Sequence, residues 1–285
     1  MRADIQGYIE RCDKCNTFQR EKISEPLMPT ELPEYPFQKI ALDICEYEKH
    51  LYLVLEDYFS RWLDIVPLSS KSCKSIIRAL KPIFATHGVP QYIRTDNSPF
   101  NSEEFIQFGR DWGFKLITSS PDYPQSNGMA EKGVYIAKQM ITQILKRNID
   151  WQKALLHYRS SPLTSLNNVT PSQLLMSRSL RSELPRTIES LKPKVVDLDS
   201  FRKADDSLKQ KTKSHYDKHV QKECEFNIGE RVWYRQHNRW NPGLIIKKLE
   251  EPRSYLIRSR VNSKVFRRTT KHIRKDKSTT EEIVN

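Results

Sequence analysis

The sequence predicts an α/β domain followed by a small all-β unit, and three observations carry that prediction. Strand-like and helix-periodic runs follow one another through Arg147 in the order βββαβαβα, which implies a three-layer arrangement. Residues 226–275 then change texture, with short alternating strands cut by Gly, Pro and Asn. Charge is uneven as well. Of a formal net +13, Phe201 to Asn285 holds 22 Lys+Arg against 11 Asp+Glu, leaving the first 200 residues near neutral.

Taken in order, residues 1–23 hold a short helix-like segment and the pair Cys12-x-x-Cys15. "SEPLMPTELPEYPF" (24–37) carries four prolines and reads as an extended linker. Three β-rich runs at 38–46, 51–58 and 61–67, with short polar breaks, predict an antiparallel meander. Residues 71–88 place apolar side chains at 76, 77, 80, 83 and 84, a helical period that Gly88 stops. A short strand over 91–95 leads into Asp96. Ser102 and Gly113 bound a capped helix, and "FKLIT" is a further strand.

From Gly128 to Arg147, Ala130, Val134, Ala137, Ile141 and Ile144 form the apolar stripe of a long amphipathic helix. Another helix starts near Asp150-Trp151, and 200–222 reads as a charged helical spacer. The last part predicts a five-stranded barrel. The expected division is 1–23, linker 24–37, core 38–180, spacer 181–222, barrel 223–276 and tail 277–285.

Several classes are disfavoured. No apolar run approaches the roughly 20 residues of a membrane span. The first twenty residues are polar, so no secretory signal is expected and the protein reads as soluble and intracellular. Five sparse cysteines argue against a disulfide framework. The basic final third points to a polyanion, nucleic acid first, or else to a solvated basic surface.

Three acids carry the chemistry. Asp43 stands inside the apolar "IALDIC", where a carboxylate is costly unless paired or metal-bound. Asp96 ends the fourth strand and Glu131 opens the long helix, whose N-terminus favours negative charge. Carboxylates from separate elements, with open positions left over, are what a two-cation phosphodiester site requires.

"TDN" (95–97) followed by "ITSSPDYPQSNGMAEKG" (117–133) resembles the D,D,E core of retroviral and long-terminal-repeat retrotransposon integrases, most of all the Ty3/gypsy type. "LEDYFSRWLDIVPL", "HGVPQYIRTDN", "WQKALLHYRSSPLTSLNNVTPSQLLM" and the C-terminal "GERVWYR…RWNPGLI…YLIR…RRTTKHIR" are similar to the family's words across nearly the whole chain. The resemblance implies a Ribonuclease H-like core with a mixed five-stranded sheet, then an SH3-like barrel. It implies a polynucleotidyl transferase/endonuclease that nicks element ends and then joins the exposed 3′-hydroxyl to target DNA.

By position, Asp43, Asp96 and Glu131 match the triad that holds two Mg²⁺ or Mn²⁺ ions. Asn97, Gln125, Ser126, Asn127 and Gly128 match the segments beside the acids, some of which touch DNA in the family. Lys138 matches a basic residue near the DNA end, or is an exposed helix lysine. Arg235, Arg267 and Arg268, with Trp233, Tyr234 and Trp240, fall on the barrel as DNA contacts or as core and solvated surface. DNA, a homo-oligomeric partner and a nuclear location follow from the resemblance.

The chain departs from the pattern in three places. The family has one more residue between the second and third acids than the 34 found here, the shortfall falling in "DNSPFNSEEF". Cys12 and Cys15 match half of the family's zinc module, but no histidine precedes them, His50 being the first. Zinc ligation is therefore expected to be incomplete, as if the chain began inside that module. No chromodomain-like extension follows the barrel. His215, His219 and Cys224 offer a weaker metal alternative. A catalytically idle DNA- or chromatin-binding protein and a structure-selective nuclease are the competing functions.

Overall fold

The computed structural model describes residues 8, 12–17, 26–27, 29–96, 98–118, 133, 135–137, 139–140, 150–219, 225–236, 239–250 and 253–276. It divides into two compact units, one of Pro29–Ser119 with Pro124–Thr212, the other chiefly Lys213–Asn285 with Met1–Met28. The short helix α1 (Asp13–Thr17) belongs to the second.

In the first unit, β1 (Lys39–Tyr47), β2 (His50–Asp57) and β3 (Leu63–Leu68) form the expected meander. β4 (Tyr92–Thr95) and β5 (Lys115–Thr118) add to it in parallel, giving one mixed sheet of order β3-β2-β1-β4-β5. Parallel neighbours need crossover connections. Helices α2 (Cys73–His87) and α3 (Glu103–Trp112) supply them, each started by a serine whose hydroxyl accepts a backbone N–H, Ser72 from Ser75 and Ser102 from Phe105. Gly113 ends α3 at φ 80°, where a Cβ would be strained.

The two-residue period of each strand divides the core. Ile40, Leu42, Leu53, Leu55 and Ile93 face one side, packing with Ile76, Leu80 and Phe84 of α2 and Phe105 and Phe108 of α3. The opposite face carries Cys45, Val54, Leu63 and Ile65. It is covered by Ala137, Ile136 and Met140 and by α4 (Trp151–Ser160), whose N-cap is Asp150. Residues 133, 135–137, 139 and 140 are helical, within the stretch read as the long amphipathic helix.

Beyond α4 come α5 (Pro171–Met176), with a Thr170/Gln173 capping box, the one-turn α6 (Ile188–Leu191), and α7 (Leu198–Tyr216). Although α7 reads as charged, its first half is anchored. Phe201 is fully buried with its ring 5.5 Å from that of Phe59, and buried Asp205 takes Arg61 at 2.6 Å and Lys209 at 2.5 Å. The receiving turn is organised by Asp57, which is fully buried. Its carboxylate accepts the backbone N–H groups of Phe37 (3.0 Å), Phe59 (3.3 Å) and Ser60 (2.9 Å) and the Ser60 hydroxyl (2.5 Å). Burial pushes the Asp57 carboxyl above its ordinary range, against those four bonds.

In the second unit, β6 (Arg231–Gln236), β7 (Arg239–Lys248), β8 (Ser254–Ser259), β9 (Val265–Thr269) and β10 (Ile273–Lys275) are all antiparallel, in the order β10-β6-β7-β8-β9. Phe226, Val232, Tyr234, Ile245, Tyr255, Ile257 and Ile273 fill it. Gly243 follows Pro242 on β7 where a Cβ would come within 2.6 Å of the Ile257 side chain and 2.9 Å of the Tyr234 ring. Only glycine fits that approach. Among the described residues, no helix is long and apolar enough to cross a membrane.

Asp57→Ala strands several buried donors at once and is expected to lower unfolding free energy by about 3 kcal/mol or more. Urea denaturation of the purified chain measures this, and Asp57→Asn should cost less because one acceptor oxygen remains.

Candidate metal centre and nucleic-acid interface

Backbone register brings two of the predicted acids together. β1 and β4 pair in parallel as Lys39↔Tyr92, Ile40↔Ile93 and Ala41↔Arg94. Continued by two residues, that register sets Asp43 level with Asp96 on strands about 4.8 Å apart. Ile40 and Ile93 both belong to the cluster on the α2/α3 side, so the alternation turns Asp43 and Asp96 to the other face. Asp43 is half-buried and Asp96 exposed. The Ile44 N–H donates to the Asp43 carboxylate at 2.6 Å, and the Thr95 hydroxyl donates to the Asp96 carbonyl at 2.8 Å.

The face that carries the pair is the one onto which Ile136, Ala137 and Met140 pack. Glu131 lies five residues before Ile136 in sequence, outside the described residues, as do Asn97, Gln125, Ser126, Asn127, Gly128 and Lys138. Among the described residues no group of three or more His, Cys, Asp or Glu collects. Two carboxylates, one mid-strand on β1 and one just past the end of β4 and open to solvent, are hard oxygen donors. That donor set fits Mg²⁺ or Mn²⁺, which keep waters and take phosphate oxygens.

One row deeper on the same face stand two charges that sequence reasoning passed over. Glu56 and Arg94 are the cross-strand partners of Ala41 on either side. Glu56 is 2% exposed and Arg94 half-buried. A glutamate closing the apolar run "LYLVLE" was the available signal.

The remaining predicted ligands are only partly described. Cys12 is half-buried and Cys15 exposed, and a hydrogen bond with Cys12 raises the Cys15 thiol above its ordinary value. His215 lies on α7 and Cys224 outside the described residues.

In the all-β unit the singled-out aromatics are core: Trp233, Tyr234 and Trp240 are all buried. The Trp233 indole N–H donates to Asp276 at 3.2 Å, and the Arg274 guanidinium lies 4.1 Å over the Trp240 ring. Burial first, and then the charge of Arg235, lowers the Arg274 pKa. Arg268 is turned inward. Its Nε donates to the Arg235 carbonyl and Nη1 to the Arg267 carbonyl, both at 2.8 Å, tying β9 to β6. Arg235 and Arg267 are half-buried.

No protein-family model matches the chain. Curated relatives do. The chain is 28% identical over 86% of its length to the uncharacterised Caenorhabditis elegans protein K02A2.6. It is 27% identical over 61% of its length to the Pro-Pol polyprotein of feline foamy virus, and 22% over 83% to the Tf2-3 transposon polyprotein of Schizosaccharomyces pombe. It spans 20%, 16% and 19% of those relatives' lengths. Among solved structures, a chain of the simian T-cell lymphotropic virus intasome, determined in complex with the PP2A regulatory subunit B56 gamma, matches with a TM-score of 0.63 at 17% identity. That match covers 96% of this chain and 91% of the other.

The core has the Ribonuclease H-like fold. The resemblance to integrases of retroviruses and long-terminal-repeat retrotransposons therefore holds in sequence and in fold alike.

Mn²⁺ or Mg²⁺ at about 100 times its dissociation constant is expected to stabilise the protein by about 2.7 kcal/mol. Thermal melting with and without the ion measures it. Asp43→Asn should remove the response.

Proposed function

We propose that the chain is a retrotransposon integrase-like polynucleotidyl transferase of the D,D,E type, acting in 3′-end processing and strand transfer of element DNA. The observation that supports this reading is the parallel β1/β4 register, Ile40↔Ile93 and Ala41↔Arg94, which leads in two residues to Asp43 and Asp96. The sequence similarity to retroviral and transposon polyproteins supports it.

Asp43 and Asp96 would hold one cation between them, and Asp96's partner across the site would be Glu131. Bound divalent ions supply charge stabilisation at the attacking and leaving oxygens of a phosphodiester. The chain's own contribution is placement. Asp43 is fixed by a central strand paired on both edges, and its carboxylate is oriented by the Ile44 N–H. Asp96 sits at a strand end open to solvent, where a DNA backbone can reach it. The basic C-terminal third supplies phosphate contacts that tolerate many sequences, as insertion at many sites requires. Arg235 and Arg267 are the residues of this role, whereas Arg268 holds β9 to β6. DNA, further copies of the chain and a nuclear location complete the reading.

A second reading rests on one observation. The loop after Asp96 is a residue shorter than the family pattern, so the chain could keep the fold and bind DNA or chromatin without catalysis.

Strand transfer on oligonucleotide ends with Mg²⁺ or Mn²⁺ separates the two. Wild type is expected to yield product and Glu131→Gln none; equal signals with retained DNA binding favour the idle binder. In DNA binding, Arg267→Ala is expected to weaken affinity evenly across sequences and to reduce the slope of log K against log salt by about 1. Fluorescence anisotropy over a salt series reads it.

A further inference from the structure

The strands that carry the acids also carry two cations. Lys39 opens β1 four residues before Asp43, and Arg94 stands on β4 two residues before Asp96. Strand alternation puts Lys39 on the face of Ala41 and Asp43, and Arg94 is the cross-strand partner of Ala41. At about 3.3 Å per residue, Arg94 lies roughly 7 Å and Lys39 roughly 13 Å short of the acids along the strands. The two cations start from adjacent strands, roughly 8 Å apart on the diagonal.

Tyr58 joins them. Its buried ring packs on Ala41, with the Lys39 ammonium 4.9 Å from the ring centroid. Burial raises the Tyr58 hydroxyl to about 12; Arg94 opposes the rise through its charge and a side-chain hydrogen bond, and Glu56 adds to it. Both cations are half-buried, yet neither forms an ion pair among the described residues. Arg94 Nε is buried without a hydrogen-bond partner, and no described acceptor takes the Lys39 ammonium. Burial first, then the charge of Arg94, lowers the Lys39 pKa; Lys209 adds to this and Glu31 opposes it. Other half-buried cations of the same unit are matched, Arg61 and Lys209 with Asp205 and Arg159 with Asp64.

Taking a cation from water without a matching charge costs free energy. The Tyr58 ring and hydroxyl offset part of that cost. The ammonium of Lys39 and the planar fork of Arg94 are the donors that phosphate oxygens accept from. Glu31 and Lys209 also line a cleft of about 260 Å³ between residues 29–32 and α7, which opens this layer to solvent.

We propose that Lys39 and Arg94 form a phosphate seat on the acid-bearing face, filled by a backbone phosphate of the nucleic-acid strand that lies across Asp43 and Asp96. The seat follows from the two cations; its assignment to nucleic acid rests on the D,D,E reading above. Phosphates recur about every 3.4 Å of helix axis along one strand, so a strand held at the acids presents further phosphates toward Arg94 and Lys39. The core unit then makes a phosphate contact of its own, besides those of the basic C-terminal third.

The test uses phosphate-free buffer without divalent ions. Affinity for a duplex oligonucleotide is read by fluorescence anisotropy over a sodium chloride series. Melting temperature is read against inorganic phosphate, with sodium chloride at matched ionic strength as the blank. Wild type is compared with Lys39→Gln, Arg94→Gln, the charge-keeping Arg94→Lys, and a change at an exposed α2 lysine, Lys81→Gln. Lys39→Gln and Arg94→Gln are each expected to lower the slope of log K against log salt by about 1. Arg94→Lys and Lys81→Gln should keep the wild-type slope, and Lys39→Gln should lose the rise in melting temperature that phosphate gives. Should Arg94→Gln fold poorly, Lys39→Gln and Arg94→Lys still carry the comparison. A phosphate response equal in wild type and Lys39→Gln overturns the seat. A response lost in Lys39→Gln with an unchanged DNA slope means that the seat takes free phosphate, and the nucleic-acid assignment falls. Asp43→Asn keeps the two readings apart, since it should lose the Mn²⁺ response and retain the phosphate response. If Asp43→Asn keeps its Mn²⁺ response while Lys39→Gln lowers the slope, the acid site fails and the seat stands.

Discussion

A carboxylate on the covered face of the central strand is the constraint around which the core is arranged. β1 lies between β2 and β4, and Asp43 is paired with Val54 of β2, so it cannot swing out as a loop residue could. Moving it from water costs free energy unless something compensates. Continued by two residues, the parallel register with β4 leads to Asp96, a second acid on the same face. A divalent cation between the two acids would offset that cost, as the proposed function requires. Parallel pairing in turn demands the crossovers through α2 and α3, whose aromatic core fills the opposite face and leaves the acid-bearing face to the later helices.

The same face shows how closely the layers are fitted. Glycine at 133 and alanine at 137 let the covering helix approach, and an acid rather than an aliphatic side chain fills the gap at 56. Asp205 has two cations, and Asp57 has four donors that close the turn after β2. The all-β unit follows a different rule. Its aromatics are core, one arginine stacks on a buried tryptophan and another bonds the backbone, so fewer of its basic side chains are free to meet a polyanion than the net charge suggests.

Local pattern made much of this legible. Gly88, Ser102, Gly113 and Asp150 marked helix ends that the structure keeps, because caps depend on residues only a few positions apart. β-rich runs separated by short polar breaks gave the meander. Asp43 stood out as an acid in an apolar strand, and Asp96 as the acid of "TDN"; their juxtaposition needed strand order and register, which periodicity does not carry. Glu56 and Asp57 read as the polar end of a strand. Their burial comes from a helix far away in sequence and from a turn that folds back on Phe37. Phe201 and Asp205 were likewise hidden in a stretch whose average character is that of a solvated helix, since two residues decide its docking. Arg268 could not be told from Arg267 by sequence, yet alternation turns one inward.

The most direct test of the central claim is anomalous diffraction from crystals of the protein soaked in Mn²⁺. The account predicts a peak bridging the Asp43 and Asp96 carboxylates, lost in Asp43→Asn crystals grown and soaked alike. Manganese bound elsewhere, with both carboxylates bare in the wild-type protein, would contradict it.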